Sequence, residues 1–444
     1  MRVEDLLLRV LNYSKSKVDQ TEVLYIGQKS ALTRFANNFI HQNVSEKDAT
    51  ISLRVIIGKK IGSASTNRLD ERSLKQTVDK ALEIAKTQKE TLHPKSLPTQ
   101  AKYANLNTFI ELTAKCTPQE RAEAVSEIIA LAQKNKVMAS GAFSTNAMDL
   151  AIANSLGLQA HQMLTEAKLN LVVTGEGEAS GYASHLSRDV AVIDPRALAE
   201  EAIKKCLQAK DPISLKAGDY AVILEPYAVG DLVVLLGSMG LGALALQEGR
   251  SFMCGKLGQN IAGENITIWD DGLDPLGMPM SFDFEGVPKR KVVLIENGIA
   301  KGVVYDSYTA SKEGKSSTGH GLPAPNTSGP FPLHLFMKAG DSSIEEMIAS
   351  TERGIYVTRF HYTNPVDVAS TTITGMTRDA SFLIENGRIK QPLKDLRVNQ
   401  SVLKALSRVS LVSKETRLVE ASRFPGWVRV PAIKVDKFTF TGTT

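Results

Sequence analysis

The chain has 444 residues, 43% of them hydrophobic and 23% charged, enough to bury substantial cores and too many for one domain of ordinary size, so two or three domains are expected. Its 53 Lys and Arg against 48 Asp and Glu leave a net charge of +5, spread along the chain and not gathered into the basic stripe of a nucleic-acid binder. Cys116, Cys206 and Cys254 lie far apart with no CxxC spacing, which argues against a disulfide framework or a zinc ribbon and for a reduced, cytoplasmic chain.

The opening MRVEDLLLRVLNYSKSK carries acids inside its apolar run and reads as an amphipathic helix with Leu6, Leu7, Val10 and Leu11 on one face, not as a signal peptide. Extended runs follow at 22–28, 30–44 and 49–57, with Gly58-Lys59-Lys60 turning the chain into IGSAST. A helix is predicted over 70–88, a surface loop over 89–100, and a second helix over 118–135. Thr117 caps this second helix, Pro118 takes its first position and Glu120 completes a capping box. Strand-like runs at 138–145, 148–154 and 158–174 come next, and Asp194-Pro195 opens a helix to about residue 208.

The polar stretch Lys210 to Asp219 is the best domain boundary. Tyr227 to Leu246 has membrane-spanning length and only Asp231 charged, but its four glycines and the lack of flanking Lys/Arg clusters favour a buried core helix and no membrane association. Beyond it, Asn297-Gly298 and Asn386-Gly387 each sit between apolar runs and signal hairpins. Ser342-Ser343 start a short helix to about residue 350, and the chain ends in the alternating run VRVPAIKVDKFTFTG. The expected fold is α+β: an N-terminal α/β domain with antiparallel strands over 1–210, and a larger β-rich domain with a curved or barrel-like sheet over 211–444. No parallel βαβ order is visible.

The densest cluster of reactive residue types lies between Ser281 and Pro330. None of the seven histidines (41, 93, 161, 185, 320, 334, 361) pairs with another at helical metal-site spacing. Ser316 to His320 brings hydroxyls near an imidazole but has no GxSxG elbow, and reads first as a glycine-rich loop. Asp283 and Glu285 would share a face if their segment is a strand. Phosphate motifs are lacking. A β-rich domain with glycine-punctuated extended segments instead offers edges to which an extended peptide can add. The candidate peptide-binding residues are Ser317, Thr318, His320, Asn326, His361, Asp283 and Glu285, with no catalytic or metal-ligating residue among them.

Several ordered blocks resemble the TldD/PmbA family, whose members are also called modulators of DNA gyrase. They are LTRFANNFIHQN (32–43), GSASTNRLDE (62–71), IANSLG (152–157), SFMCGKLGQNI (251–261), DFEGVPKRKVVLIENG (283–298), YDSYTASKEGKSSTGHGLPAPN (305–326) and TGMTRDASFLIENGRI (374–389). The resemblance implies action on extended or unfolded peptides. Its TldD branch holds zinc through HExxxH on a helix shortly before the block that starts here at Ser251, with a cysteine near the C-terminal strands. Here the run before Ser251, LVVLLGSMGLGALALQEGR, has no histidine, and no cysteine follows Cys254.

The chain therefore resembles the PmbA or TldE branch. The resemblance implies no cofactor of its own, with zinc expected only in a TldD-like partner subunit, or a homodimer, while the unclustered charge argues against a nucleic-acid partner. Two alternatives stay open. One is a self-contained metallopeptidase using His320, His361 and Asp283 or Glu285, and the other is a non-enzymatic gyrase or peptide-binding modulator.

Overall fold

The computed structural model describes residues 2–94, 96–420 and 426–443. In the N-terminal half, α1 (Val3–Ser14), β1 (Gln20–Ala36), β2 (Phe39–Ile57), β3 (Lys60–Thr66) and α2 (Glu71–Thr87) are followed by the short α3 (Glu111–Lys115). Then come α4 (Pro118–Lys134), β4 (Met138–Asn154), β5 (Gln159–Thr174), β6 (Ser180–Ser187) and α5 (Pro195–Gln208). The strands form one antiparallel sheet in the order β3-β2-β1-β4-β5-β6. The order helix, three strands, helix thus occurs twice, meeting at the β1–β4 pair.

Corresponding glycines hold the closing helix of each half. A Cβ on Gly62 of β3 would lie 2.1 Å from the Ala81 carbonyl of α2, and one on Gly181 of β6 would lie 2.1 Å from the Ala202 carbonyl of α5. Both helices ride on strand backbone at separations only glycine permits. Gly62→Ala and Gly181→Ala are each expected to lower stability by about 1–3 kcal/mol, read as a fall in the urea midpoint. Unchanged midpoints would mean that the helices can lift off without loss.

The local signals explain much of this sheet. Leu6, Leu7 and Val10 of α1 are buried against it, and the α4 capping box forms with Thr117 and Glu120 reciprocally bonded. Two expectations change. The run 30–44 is broken by a turn at Asn37-Asn38, both at positive φ, a conformation asparagine tolerates better than most residues. The runs 138–145 and 148–154 are one continuous strand.

The C-terminal half contains β7 (Gly218–Leu224), α6 (Pro226–Gly240), α7 (Ala243–Gln247), β8 (Ile268–Asp270), β9 (Val292–Glu296), β10 (Ile299–Ala300), α8 (Ser307–Lys312) and β11 (His334–Met337). It continues with α9 (Ile344–Ala349), β12 (Arg353–Asp367), β13 (Thr372–Glu385), β14 (Arg388–Leu393), β15 (Leu396–Ser401), α10 (Val402–Leu406), β16 (Val409–Glu420) and β17 (Trp427–Thr443). These strands make an eleven-stranded sheet. Because β7 pairs with both β12 and β17, the strands β7, β12, β13, β15 and β17 close on themselves, the barrel-like curvature expected.

Two strand pairings, β7–β12 and β11–β17, are parallel, which is compatible with the absence of βαβ order in the sequence. The paired strands are far apart in the chain, so no consecutive βαβ pattern marks them. Helix α6 is buried around most of its circumference and packs on β12 and β17. Its apolarity therefore reflects the core, and no helix among the described residues is long and apolar enough to cross a membrane. Both Asn-Gly pairs form turns at positive φ.

Contacts of several kinds join the halves. Leu150, Ile152 and Leu158 pack with Met280 and Phe282. Arg54 of β2 reaches Glu285 at 3.2 Å. Lys205 of α5 bonds Glu225 at 2.8 Å, while Arg417 of β16 bonds Glu201 of α5 at 3.1 Å.

Candidate functional site

The segment 281–330 lies between β8 and β11 and consists of loops around β9, β10 and α8, and Asp283 and Glu285 lie in a tight turn before β9 and not on a strand face. Gly286 N–H donates to the Asp283 carbonyl at 3.0 Å. Asp283 Oδ1 accepts the amides of Glu285 (2.9 Å) and Val287 (2.8 Å), and Oδ2 accepts that of Gly321 (2.7 Å). Burial and the Glu285 charge push the Asp283 pKa up to about 7 against the pull of these backbone donors, and the three bonds fasten this turn to the loop after His320. Glu285 turns the other way, toward Arg54 and the Ser307 amide.

Behind this turn lies a buried polar cluster. Asp270 Oδ1 accepts from His320 Nε2 at 2.7 Å, His320 Nδ1 lies 2.8 Å from Thr318 Oγ1, and Asp270 Oδ2 accepts the His334 amide at 2.7 Å. Burial and the nearby Lys289 charge push the His320 pKa down despite Asp270. The neutral tautomer that donates to Asp270 and accepts from Thr318 fits both contacts. Burial works against the Asp270 charge, yet its pKa lies below the ordinary carboxylate range because His320 and Lys289 favour the anion.

The order hydroxyl, imidazole, carboxylate is that of a nucleophilic relay, but the surroundings are those of a loop anchor. Thr318 Oγ1 also accepts the Tyr305 amide at 2.7 Å and lies 3.0 Å from the Tyr305 carbonyl, and the His320 side chain has no exposed surface. Ser317 likewise bonds the Tyr305 carbonyl and the Gly319 amide. Asn326 closes a local turn through Gly329 and Ser328. His361 lies exposed on β12 beside Tyr362 and makes no contact with the others.

The structure thus joins Asp283 to the His320 loop and leaves His361 apart. Among the described residues no group of three or more His, Cys, Asp or Glu is placed to hold a metal ion, so the set of His320, His361 and Asp283 or Glu285 is not assembled. Where the resemblance locates HExxxH, the chain has α7 and the turn to Ser251, with alanine, leucine and glutamine side chains and Glu248 paired to Arg250. These residues do not fit a zinc ion.

The 281–330 segment also contributes apolar side chains to a cavity wall. Phe284, Leu322 and Pro323 line a cavity of about 430 Å³ between the N-terminal sheet and the C-terminal half. Met148 of β4 and Leu164 of β5 supply the sheet wall, and Met278, Met280 and Leu333 continue it. Trp427, at the start of β17, reaches across to donate from Nε1 to Glu166 Oε2 at 2.8 Å, and its ring lies 5.6 Å from that of His334. Burial raises the Glu166 pKa, with Glu420 adding to the effect. A concave, apolar site with a few polar groups and a perturbed carboxylate is the form of a ligand pocket.

Sequence reasoning missed Glu166, Asn146 and Trp427, which come together from three strands. Trp427 is one of only two tryptophans, and the alternation of β5 would have placed Leu164 and Glu166 on one face.

A family model described as the PmbA/TldA metallopeptidase C-terminal domain matches residues 217–442, and its companion for domain 1 matches 21–85. The metalloprotease TldD homologue of Haemophilus influenzae is 27% identical over 423 residues, covering 89% of this chain and 87% of that protein. The crystal structure of TldE from Thermococcus kodakarensis superposes with a TM-score of 0.90 at 25% identity, covering 98% of this chain and all of that one. A Thermotoga maritima protein named for modulation of a DNA gyrase shares the fold, with a TM-score of 0.88 at 21% identity over 99% of this chain and 100% of that one.

Proposed function

Because the chain belongs to the TldD/PmbA metallopeptidase family, we propose that it is a PmbA/TldE-like subunit that binds extended peptides in the Phe284–Trp427 cavity beside a zinc-carrying, TldD-like partner. The observation that supports this most directly is the family fold retained over nearly the whole chain together with a helix-to-Ser251 segment that has no histidine. The partner supplies the metal, which polarises the scissile carbonyl and activates water when bound. This chain supplies walls. The sheet face and the loop after His320 bound the cavity, and the Asp283 and Asp270 hydrogen bonds hold that loop in place. Three cysteines without disulfide partners are consistent with a cytoplasmic setting, and DNA contact is no part of the reading.

The test is purification from the native cell without chelator, followed by metal analysis and peptide hydrolysis alone and with the co-purifying chain. The expected result is recovery with an HExxxH-bearing homologue, zinc well below one per chain in the isolated subunit, and hydrolysis only in the mixture. Stoichiometric zinc in the isolated chain, with hydrolysis lost on its removal, overturns the proposal.

A further inference from the structure

Asn146 of β4 and Glu166 of β5 are cross-strand partners, and both line the apolar cavity. Asn146 Oδ1 is buried without a hydrogen-bond partner, and the Glu166 carboxylate accepts from Trp427 Nε1 through Oε2. No cation among the described residues pairs with Glu166. Lys168, two residues on, is engaged with Glu420, and Arg188, which also lines the cavity, makes no ion pair with it. A desolvated carboxylate beside an unmatched amide oxygen is costly unless something supplies N–H donors and positive charge.

The rest of the cavity is shaped for a stem. Met148, Met278 and Met280 give flexible thioether walls that adapt to an unbranched chain, and lysine and arginine carry such a chain below their charge. We propose that this cavity takes a lysine or arginine side chain of an extended peptide, with the aliphatic stem against the methionines and the cationic head at Glu166 and Asn146. The inference rests on the peptide-binding reading above and adds to it a side-chain preference.

The test uses the full chain and fluorescent, unstructured peptides that differ at one central residue, either lysine, its uncharged analogue norleucine, or glutamate. The lysine peptide is expected to bind about tenfold more tightly than the norleucine peptide, the effect of one partly desolvated ion pair, and the glutamate peptide more weakly than both. Glu166→Gln, which keeps an acceptor for Trp427, removes the lysine preference, so that lysine and norleucine peptides bind alike. Asn146→Leu reduces the preference without abolishing it.

A second measurement separates the two readings: quenching or shift of Trp427 fluorescence by hexylammonium against hexanol. Equal binding of lysine and norleucine peptides overturns the side-chain inference and leaves the peptide reading standing. If no peptide binds but hexylammonium alone perturbs Trp427 in a Glu166-dependent way, the cation pocket is supported and the peptide reading falls. If neither binds, both are overturned.

Discussion

Arg54→Ala is expected to cost about 3–5 kcal/mol of stability and to be the most damaging single truncation at the junction of the two halves. Arg54 lies between two carboxylates, Glu22 of the same sheet at 2.8 Å and Glu285 of the C-terminal half at 3.2 Å, and all three side chains are nearly out of contact with water. Burial disfavours the Arg54 charge, but the two acids outweigh it and hold the guanidinium ionised. Burial also raises the Glu22 pKa against the pull of Arg54, and Glu285 adds to the rise. Removing the cation leaves two acids facing each other in a dry site, which is worse than never having charged the site.

The pH dependence gives the prediction its sign. Without Arg54, Glu22 takes up a proton at a pH where the unfolded chain stays ionised. The folded variant then binds more protons than the unfolded one, and its stability falls as pH rises. The deficit relative to the parent should therefore be larger at pH 8 than at pH 5 in urea unfolding. Combining Arg54→Met with Glu22→Gln and Glu285→Gln should recover most of the loss, because the buried charges go together. A deficit independent of pH would show that the loss is one of packing and not of charge.

The parts of this molecule that were legible in the sequence are those decided within a few residues. Thr117, Pro118 and Glu120 announce a helix start because each satisfies or avoids an orphan amide, and the two Asn-Gly pairs announce hairpins because both positions need positive φ. The missing histidines before Ser251 were equally plain, since a ligand either stands in the sequence or does not. Burial direction was not legible. Asp283 and Glu285 look like a pair sharing a face, and the turn sends one to Gly321 and the other to Arg54. His320 looks like a reactive group, and its neighbours Leu322 and Pro323 are the residues that face the cavity. Glu166 meets Trp427 across the junction of the halves, and no local pattern encodes such a meeting.

His334 should make the chain acid-sensitive, and His334→Phe should remove that part of the sensitivity. The imidazole is 2% exposed, and neither of its ring nitrogens has a hydrogen-bond partner. Burial and the adjacent Lys289 charge push its pKa down to about 3, against a weaker upward pull from Asp270. An unfolded histidine titrates near about 6.5. Below that pH the unfolded chain takes a proton that the folded chain refuses, so stability is fully present above about pH 6.5 and drains away as pH falls toward 3. Between pH 6.5 and 4.5 the loss from this one group is about 2–3 kcal/mol.

Burial also lowers the His320 pKa, which steepens the same trend. Asp283 and Asp395, pushed up by burial to about 7 and about 6, oppose it by binding protons first in the folded state. The total slope is therefore a sum, and the difference between parent and His334→Phe isolates the histidine. At pH 7.5 the variant should match or exceed the parent, because a phenyl ring fills the place beside Trp427 without two unmatched nitrogens. At pH 4.5 it should exceed the parent by a further 2–3 kcal/mol or so. Parallel decline of the two proteins between these pH values would show that His334 accepts its proton in the folded chain, and a neutral imidazole beside Lys289 would then be the wrong description of this cluster.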